Sequence, residues 1–228
     1  MKGNARKAMQ RKKVFLIPKN HEYVRRLKQH LEKAGVSVVL LKPFHYSSFT
    51  NLVKIIFFRL KGYRILHVHW LYIFPFGFVM RGFCYFCKRL GIKIVWEMHN
   101  ILPHGYTEKD RNNCQWFYEK SDAIIFHSGR DIQRAKDLLN TDTDKIHAII
   151  PHGNFNGSYE NKIPKEEARR HLNIPDNDRA LLCFGFIRKN RGYEYLIDAA
   201  KDMENTTIMI AGKSEDKDIC KKLLGYEK

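Results

Sequence analysis

Residues 181–212 read LLCFGFIRKNRGYEYLIDAAKDMENTTIMIAG, and this stretch decides the fold. A hydrophobic strand runs into Gly185 and a basic loop, a helix follows, and a second hydrophobic strand ends in Gly212. A strand, a helix and another strand in this order form the βαβ unit that opens an α/β domain. Only 16 residues follow Gly212, which is too few to close a sheet. We therefore predict one whole α/β domain followed by an incomplete second one.

Upstream of this unit, strands alternate with helices over residues 13–153. The alternation predicts a parallel, doubly wound sheet of the Rossmann-like type, and several strands are apolar on both faces, as buried parallel strands are. We expect a basic tail at 1–12, a linker and junction helix at 154–178, and the second domain at 179–228. The predicted strands of the first domain are 13–18, 36–43, 64–72, 92–100, 121–128 and 145–153.

Composition and charge restrict the class of function. A hydrophobic fraction of 44% predicts a folded core, and five irregularly spaced cysteines indicate a reducing compartment rather than a disulfide framework. The net charge of +17 is unevenly placed. Residues 1–96 hold 20 Lys+Arg and two acids, whereas residues 97–228 hold 21 Lys+Arg and 22 acids. We expect the first half to face an anionic partner, which is nucleic acid, a phospholipid surface or a phosphorylated substrate.

Six motifs in a fixed order carry a family resemblance. Together they span residues 13–212, and the chain resembles the family 4 retaining glycosyltransferases, which have the GT-B fold. That fold has two Rossmann-like domains facing each other across a cleft, so the resemblance assigns the acceptor-binding domain to residues 13–153. The motifs are IPKNHEY, HVHW, EMHNILPH, DAIIFHS, IIPHG and FGFIRKNRGYEYLIDA.

The resemblance implies a hexosyl transfer in polysaccharide biosynthesis. The donor is a GDP- or UDP-linked sugar, the acceptor is a glycan or a lipid-linked sugar, and no further cofactor is needed. The enzyme is expected to be cytoplasmic and peripheral at the inner membrane face. In the family, the donor domain continues to a Glu-containing segment that grips the ribose and the sugar, and this sequence stops before it. A fragment, or a second chain that completes the donor domain, is therefore also expected.

The turn after the strand at 181–184 is the candidate donor site. Gly185 ends the strand, Arg188 and Arg191 lie in the turn, and Gly192 opens the helix. Guanidinium groups and free helix N–H groups stabilise the charge that builds on a leaving diphosphate. The alternative is a solvated basic turn. The resemblance adds Asn20, which follows the first strand, as a further donor contact.

His99 is the candidate catalytic residue. It lies at the carboxyl end of a predicted strand, where ligands bind in open α/β sheets, and it matches the family's cleft histidine, which contacts the transferred sugar. We assign it a positioning role, because the resemblance implies that the leaving phosphate helps to deprotonate the acceptor. Asn100 and His104 follow in the same loop as acceptor or cleft residues. The alternative is a histidine that only caps a strand end.

His67 and His69 stand two residues apart on a strand and therefore share a face. With His99 or His104 they could ligate a metal, but no acid or cysteine lies close by in sequence and the family needs no such cluster. We therefore predict no metal. Instead, His69 and Trp70 are expected to line the floor of the cleft.

Two predicted helices, 49–64 and 74–89, combine apolar and basic residues in the manner of helices on an anionic membrane surface. We expect their apolar faces to be buried against the sheet and their cations to be solvated. The resemblance implies that the basic domain docks to the membrane that holds a lipid-linked acceptor. Cys84 and Cys87 are predicted to be buried free cysteines.

Three other classes compete with the glycosyltransferase. A non-catalytic acceptor- or membrane-binding subunit completed by a partner chain is the first. A nucleic-acid-binding protein is disfavoured, because no helix-turn-helix, zinc-finger or RNP-type motif is present. A dinucleotide-dependent oxidoreductase ranks last, because no G-x-G-x-x-G follows the first strand.

Overall fold

The structure is a computed structural model, and it divides into two compact units, Met1–Gly153 and Asn154–Lys228. Three predicted features lie wholly or partly outside the described residues. They are the basic tail, of which only Lys12 is described, then His104, and part of the predicted linker. The described residues are 12–44, 48–103, 105–142, 144–154, 160, 162–188, 191–214 and 217–226.

The strands of the first unit are β1 (Lys13–Ile17), β2 (Ser37–Leu40), β3 (Ile65–Val68), β4 (Lys93–Glu97), β5 (Ala123–Phe126) and β6 (Ile146–Ile149). They form one sheet in the order β2-β1-β3-β4-β5-β6, and all neighbours pair in parallel. From β1 the chain moves outward to β2 and then crosses back to β3, so the strand order reverses between β1 and β3. In open α/β sheets this reversal marks the crevice where ligands bind.

All six predicted strands of the first domain are present, and each is shorter than predicted. Strand β3 ends at Val68, so His69 and Trp70 follow it instead of lying on it. The helices between the strands are α1 (Glu22–Lys33), α2 (Ser48–Leu60), α3 (Gly77–Arg89), α4 (Glu108–Lys120) and α5 (Arg130–Leu139).

Helices cover both faces of the sheet. Phe15 and Ile17 of β1 belong to the main core, which also contains residues of α2, α3, α4 and α5. Val14 and Leu16 point to the other face and pack in a second cluster with Val24 of α1. The alternation of side chains along a strand produces these two cores, and the prediction of a doubly wound parallel sheet is confirmed.

The expected burial of the apolar side of α2 is present only in part, since Leu52 and Phe58 pack against the core beside Ile55 while other apolar residues face outward. Ile55 is fully buried, but Phe49 is 77% exposed and Leu60 is 84% exposed. Only a narrow strip of α2 reaches the core, because its apolar residues surround the helix instead of forming one face. None of the helices in the described part of the chain has the length and hydropathy needed to cross a bilayer.

The second unit contains the βαβ arrangement predicted from residues 181–212. Its two strands pair in parallel, and Ile187, Tyr193 and Ile219 form a small buried cluster. The predicted second α/β region is therefore present. Its elements are α6 (Lys165–His171), β7 (Arg179–Phe184), α7 (Tyr193–Ala200), β8 (Thr206–Ala211) and α8 (Lys217–Leu224).

Gly212, the residue after β8, allows the backbone to come close to that of Gly185, the residue after β7. Its φ is +155°, and a Cβ added there would lie 1.7 Å from the carbonyl oxygen of Gly185. The two loops stay paired beyond the strands, since the Gly185 N–H donates to Ala211 at 3.0 Å and the Ile187 N–H donates to Lys213 at 2.9 Å. Any side chain at position 212 must therefore displace the turn that begins at Gly185.

We expect Gly212→Ala to destabilise the second unit by about 2 kcal/mol or more, because backbone atoms must move to admit the methyl group. Amide hydrogen exchange in β7 and β8 should then be roughly 30-fold faster. Gly82→Ala in α3 is the control, since a Cβ there meets nothing within 4 Å. Unchanged exchange in Gly212→Ala would contradict the close approach.

Candidate functional site

A buried carboxylate, Glu97, is the centre of the site. It ends β4 with 3% of its surface exposed, and its Oε1 accepts a 2.5 Å hydrogen bond from the hydroxyl of Tyr23. Its Oε2 lies 2.9 Å from Nε2 of His67 and 3.3 Å from Nδ1 of His69. A buried charge without partners would be very costly, so these three side chains allow a carboxylate to stand inside the sheet.

Parallel pairing and one helix bring these groups together. His67 of β3 pairs with Val95 of β4, and Glu97 lies two residues further on, so it projects from the same face. This is the face that α1 covers, and Tyr23 lies in the first turn of α1. His21 caps that turn by accepting the backbone N–H of Tyr23 at 3.2 Å. The position of Tyr23 over the carboxylate therefore depends on the start of α1.

Three histidines that follow β3, β4 and β5 form a chain of contacts. Nδ1 of His69 lies 3.3 Å from Nε2 of His99, and Nδ1 of His99 lies 3.2 Å from Nε2 of His127. Nδ1 of His127 lies 2.9 Å from the carbonyl oxygen of Ile150. A carbonyl only accepts, so Nδ1 of His127 carries a proton, and in the neutral ring the Nε2 lone pair faces His99.

The electrostatics keep Glu97 ionised and two of the neighbouring histidines neutral. Burial on its own raises the pKa of Glu97, but the contacts with His67, His69 and Tyr23 outweigh it and lower the pKa to about 2. Burial lowers the pKa of His99 to about 4 against the opposing effect of Glu97. Burial also lowers the pKa of His69 well below its usual 6.5. At neutral pH, Glu97 is therefore ionised while His69 and His99 are neutral.

Aromatic rings fix His99 and connect the cluster to the surface. Trp70 stacks on His99 with ring centroids 4.3 Å apart and planes inclined by 16°. His152 is exposed, and its ring centroid lies 5.4 Å from that of His99 and 4.9 Å from that of His127. The cluster is therefore buried at Glu97 and reaches solvent at His152.

A cavity of about 420 Å³ adjoins this cluster. His69, Trp70 and Asn100 line it from the carboxyl edge of the sheet, and Tyr72 and Tyr106 are among its aromatic residues. Its size lies within the usual range for small-molecule pockets, about 300–1,000 Å³. Its mixture of aromatic surface with a few polar groups is also typical of such pockets.

The turn after β7 contains the candidate donor residues of the second unit. The guanidinium of Arg188 lies 5.0 Å from the ring centroid of Phe186, and the backbone N–H of Arg191 donates to Arg188 at 3.2 Å. A Cβ added at Gly185 would lie 3.7 Å from Nη2 of Arg191. Gly192 has a φ of 72° and directly precedes α7. Two cations and a helix start therefore lie in one turn.

The structure brings together four of the predicted cleft residues. They are His69, Trp70, His99 and Asn100, and their roles stay predictions. Asn20 is exposed in the turn after β1, where its carbonyl accepts from Arg25 at 3.5 Å.

The CYFC motif has a structural role. Cys84 and Cys87 are free and buried in α3, as predicted. Burial raises the pKa of Cys84 to about 12, which keeps its thiol protonated and unreactive at neutral pH.

Sequence reasoning missed Glu97, His127 and His152 as members of the site. One signal could have found Glu97, because a single acid within the apolar strand IKIVWEMHN must be buried and needs partners. His127 and His152 also follow strands, in DAIIFHS and IIPHG, and the carboxyl edge of a parallel sheet collects such residues.

Comparison with solved structures identifies proteins that share this fold. The crystal structure of Anabaena Alr3699/HepE in complex with UDP and glucose aligns with a TM-score of 0.58 at 15% sequence identity, covering 94% of this chain and 65% of that chain. The complex of the same protein with UDP gives a TM-score of 0.61, and the complex with UDP-glucose gives 0.57, both at 15% identity.

The likeness shows a shared GT-B-like fold and, at this identity, the fold alone. The chain spans 64–65% of the length of the HepE structures. No protein-family model and no curated protein matches the sequence.

Proposed function

We propose that this chain carries the acceptor-binding unit and the nucleotide-binding turn of a glycosyltransferase that uses a nucleotide-diphosphate sugar, of the retaining family 4 kind. The observation that carries the proposal is the fold likeness over 94% of the chain to structures whose bound ligands are UDP, glucose and UDP-glucose. The order of the six sequence motifs supports the same assignment.

The two units have different roles in this proposal. In the second unit, Arg188, Arg191 and the start of α7 bind the diphosphate and stabilise its charge as the sugar leaves. In the first unit, His99 positions the transferred sugar, while Trp70 and Asn100 line the acceptor cavity. Trp70 holds the His99 ring by stacking on it, with ring centroids 4.3 Å apart.

Calorimetric titration of the full chain with UDP, GDP and their sugar conjugates tests this function. Saturable binding of one nucleotide with a stoichiometry of about one supports it and names the base. Heats equal to those of dilution for every nucleotide would contradict a donor turn in this chain.

The acceptor in this proposal is a glycan or a lipid-linked sugar at the cytoplasmic face of an anionic membrane. The support is the charge of residues 1–96 and the exposed side of α2, where Phe49, Phe57 and Leu60 are 77%, 50% and 84% exposed. Lys61 lies 4.1 Å from the ring centroid of Phe57. Apolar side chains surrounded by cations are what a peripheral helix offers to anionic lipid.

We expect Phe49→Ser/Phe57→Ser/Leu60→Ser to weaken binding to vesicles rich in anionic phospholipid by about tenfold or more, because each lost side chain removes apolar area from the interface. Sedimentation with vesicles measures the change. Phe184→Ser/Tyr195→Ser/Leu224→Ser is the matched control, since these residues of the second unit are 81%, 82% and 60% exposed. An equal loss of vesicle binding in both triple variants would contradict a docking surface on α2.

A further inference from the structure

Three imidazoles converge where the histidine cluster meets solvent. His99, His127 and His152 each offer one ring nitrogen, and these nitrogens all lie within 4.8 Å of one another. Nδ1 of His99 and Nε2 of His127 are 3.2 Å apart. Two imidazole nitrogens bound to one tetrahedral zinc ion, at about 2.0–2.1 Å each, are separated by roughly 3.3 Å.

The far nitrogen of each ring faces an acceptor. Nδ1 of His127 donates to the carbonyl of Ile150 at 2.9 Å, and Nδ1 of His152 lies 2.8 Å from the carbonyl oxygen of Gly153. Nε2 of His99 lies 3.4 Å from Oε1 of Glu97. Metal-binding histidines nearly always donate their second ring nitrogen to a carbonyl or a carboxylate, which fixes the ring and raises its basicity.

From this arrangement we infer that His99, His127 and His152 bind one divalent transition-metal ion of the zinc type. Three imidazoles leave a fourth position open for water or a substrate hydroxyl. The ion has an entry path, because His152 is exposed. The inference goes beyond the proposed sugar transfer and does not rest on it.

A second group, His67, His69 and Glu97, also has its ligand atoms within 4.8 Å of one another. All three residues are buried, and Glu97 already accepts from Tyr23 at 2.5 Å. We therefore assign the ion to the His99 group and a supporting role to Glu97. The sequence analysis considered a metal held by His67 and His69 with His99 or His104 as the third ligand, and predicted none. His99, His127 and His152 stand 28 and 25 residues apart in the chain and form no recognisable spacing.

Titration of the metal-stripped full chain with Co²⁺ tests the site. We expect one equivalent to bind with the intense visible absorption of a four-coordinate ion. His127→Ala and His152→Ala should each weaken binding at least tenfold, and Glu97→Gln should weaken it about 10–100-fold through the orientation of His99. His147→Ala is the matched control, because His147 is exposed on β6 and lies outside the cluster.

The alternative to a metal is a proton on Nδ1 of His99 that is shared with His127. In that case Co²⁺ produces no visible band and no stoichiometric binding, and the metal site is overturned. Binding that survives His127→Ala/His152→Ala, or that His147→Ala weakens as much, overturns it equally. Titration of the same metal-stripped protein with UDP and GDP reports on the donor turn alone, so failure of the metal site and failure of the proposed transferase are distinguished.

Discussion

Replacement of Glu97 by alanine is expected to lower the free energy of unfolding of the first unit by about 3 kcal/mol. The substitution removes the acceptor of the Tyr23 hydroxyl and leaves a small void beside the rings of His67 and His69. Each buried group that loses its partner costs about 1–3 kcal/mol, and removal of one member of a buried charged network costs about 3–5 kcal/mol. Because Tyr23 lies in the first turn of α1, that helix should loosen as well.

Urea unfolding followed by tryptophan fluorescence measures this loss. All three tryptophans, at positions 70, 96 and 116, lie in the first unit, so the signal reports on that unit. A chelator removes any contribution from a bound ion. Glu32→Ala is the control, because Glu32 is an accessible partner of Lys28 at 2.9 Å and such pairs contribute less than about 1 kcal/mol. A loss below about 1 kcal/mol in Glu97→Ala would contradict the central role of this carboxylate.

The fold could be predicted from the sequence because its signals are local. Alternating apolar strands and amphipathic helices specify a parallel sheet, and glycines such as Gly35 and Gly91 end the helices where predicted. The positive φ values of these two residues, 82° and 66°, are the physical reason for their presence. Strand ends were less predictable, since they depend on how far each neighbouring strand continues to pair.

The candidate site was predictable only in part, because its members come from five separate segments of the chain. Position after a strand was enough to find His69 and His99. The partners of Glu97 depend on the register of β3 against β4 and on the placement of α1, which no local pattern contains. His152 lies three residues after β6, the last strand of the sheet, and its ring centroid lies 5.4 Å from that of His99, a contact that no local pattern predicts.

The partial burial of α2 has a different physical cause. An apolar helix next to a sheet is expected to bury its apolar side, yet α2 turns only a strip that includes Asn51 and Ile55 inward. Asn51 is held there by its side chain, which accepts from the Lys42 N–H at 3.2 Å and donates to the Lys42 carbonyl at 2.8 Å. This polar anchor fixes the rotation of the helix, so Phe49 and Leu60 face away from the core.

Substitution of both arginines of the donor turn, Arg188→Ala/Arg191→Ala, is expected to weaken binding of UDP or GDP by at least about 100-fold. A hydrogen bond to a charged group contributes about 1.5–3 kcal/mol, and bidentate pairs of guanidinium with phosphate are among the strongest. Two such contacts together exceed the roughly 2.7 kcal/mol that a 100-fold change requires. Calorimetry on the full chain measures the nucleotide affinity of the wild type and of the variant directly.

Two controls separate phosphate binding from a general loss of charge. Lys201→Ala/Lys221→Ala removes two exposed cations from the same unit and should leave the affinity within about threefold, because long-range attraction is screened at physiological salt. The unphosphorylated nucleoside should bind the wild type and the arginine variant equally weakly. Unchanged exchange in β7 and β8 confirms that the variant is folded. If both double variants lose affinity for the nucleotide to the same degree, net charge alone attracts the diphosphate. The turn after Gly185 is then not its binding site.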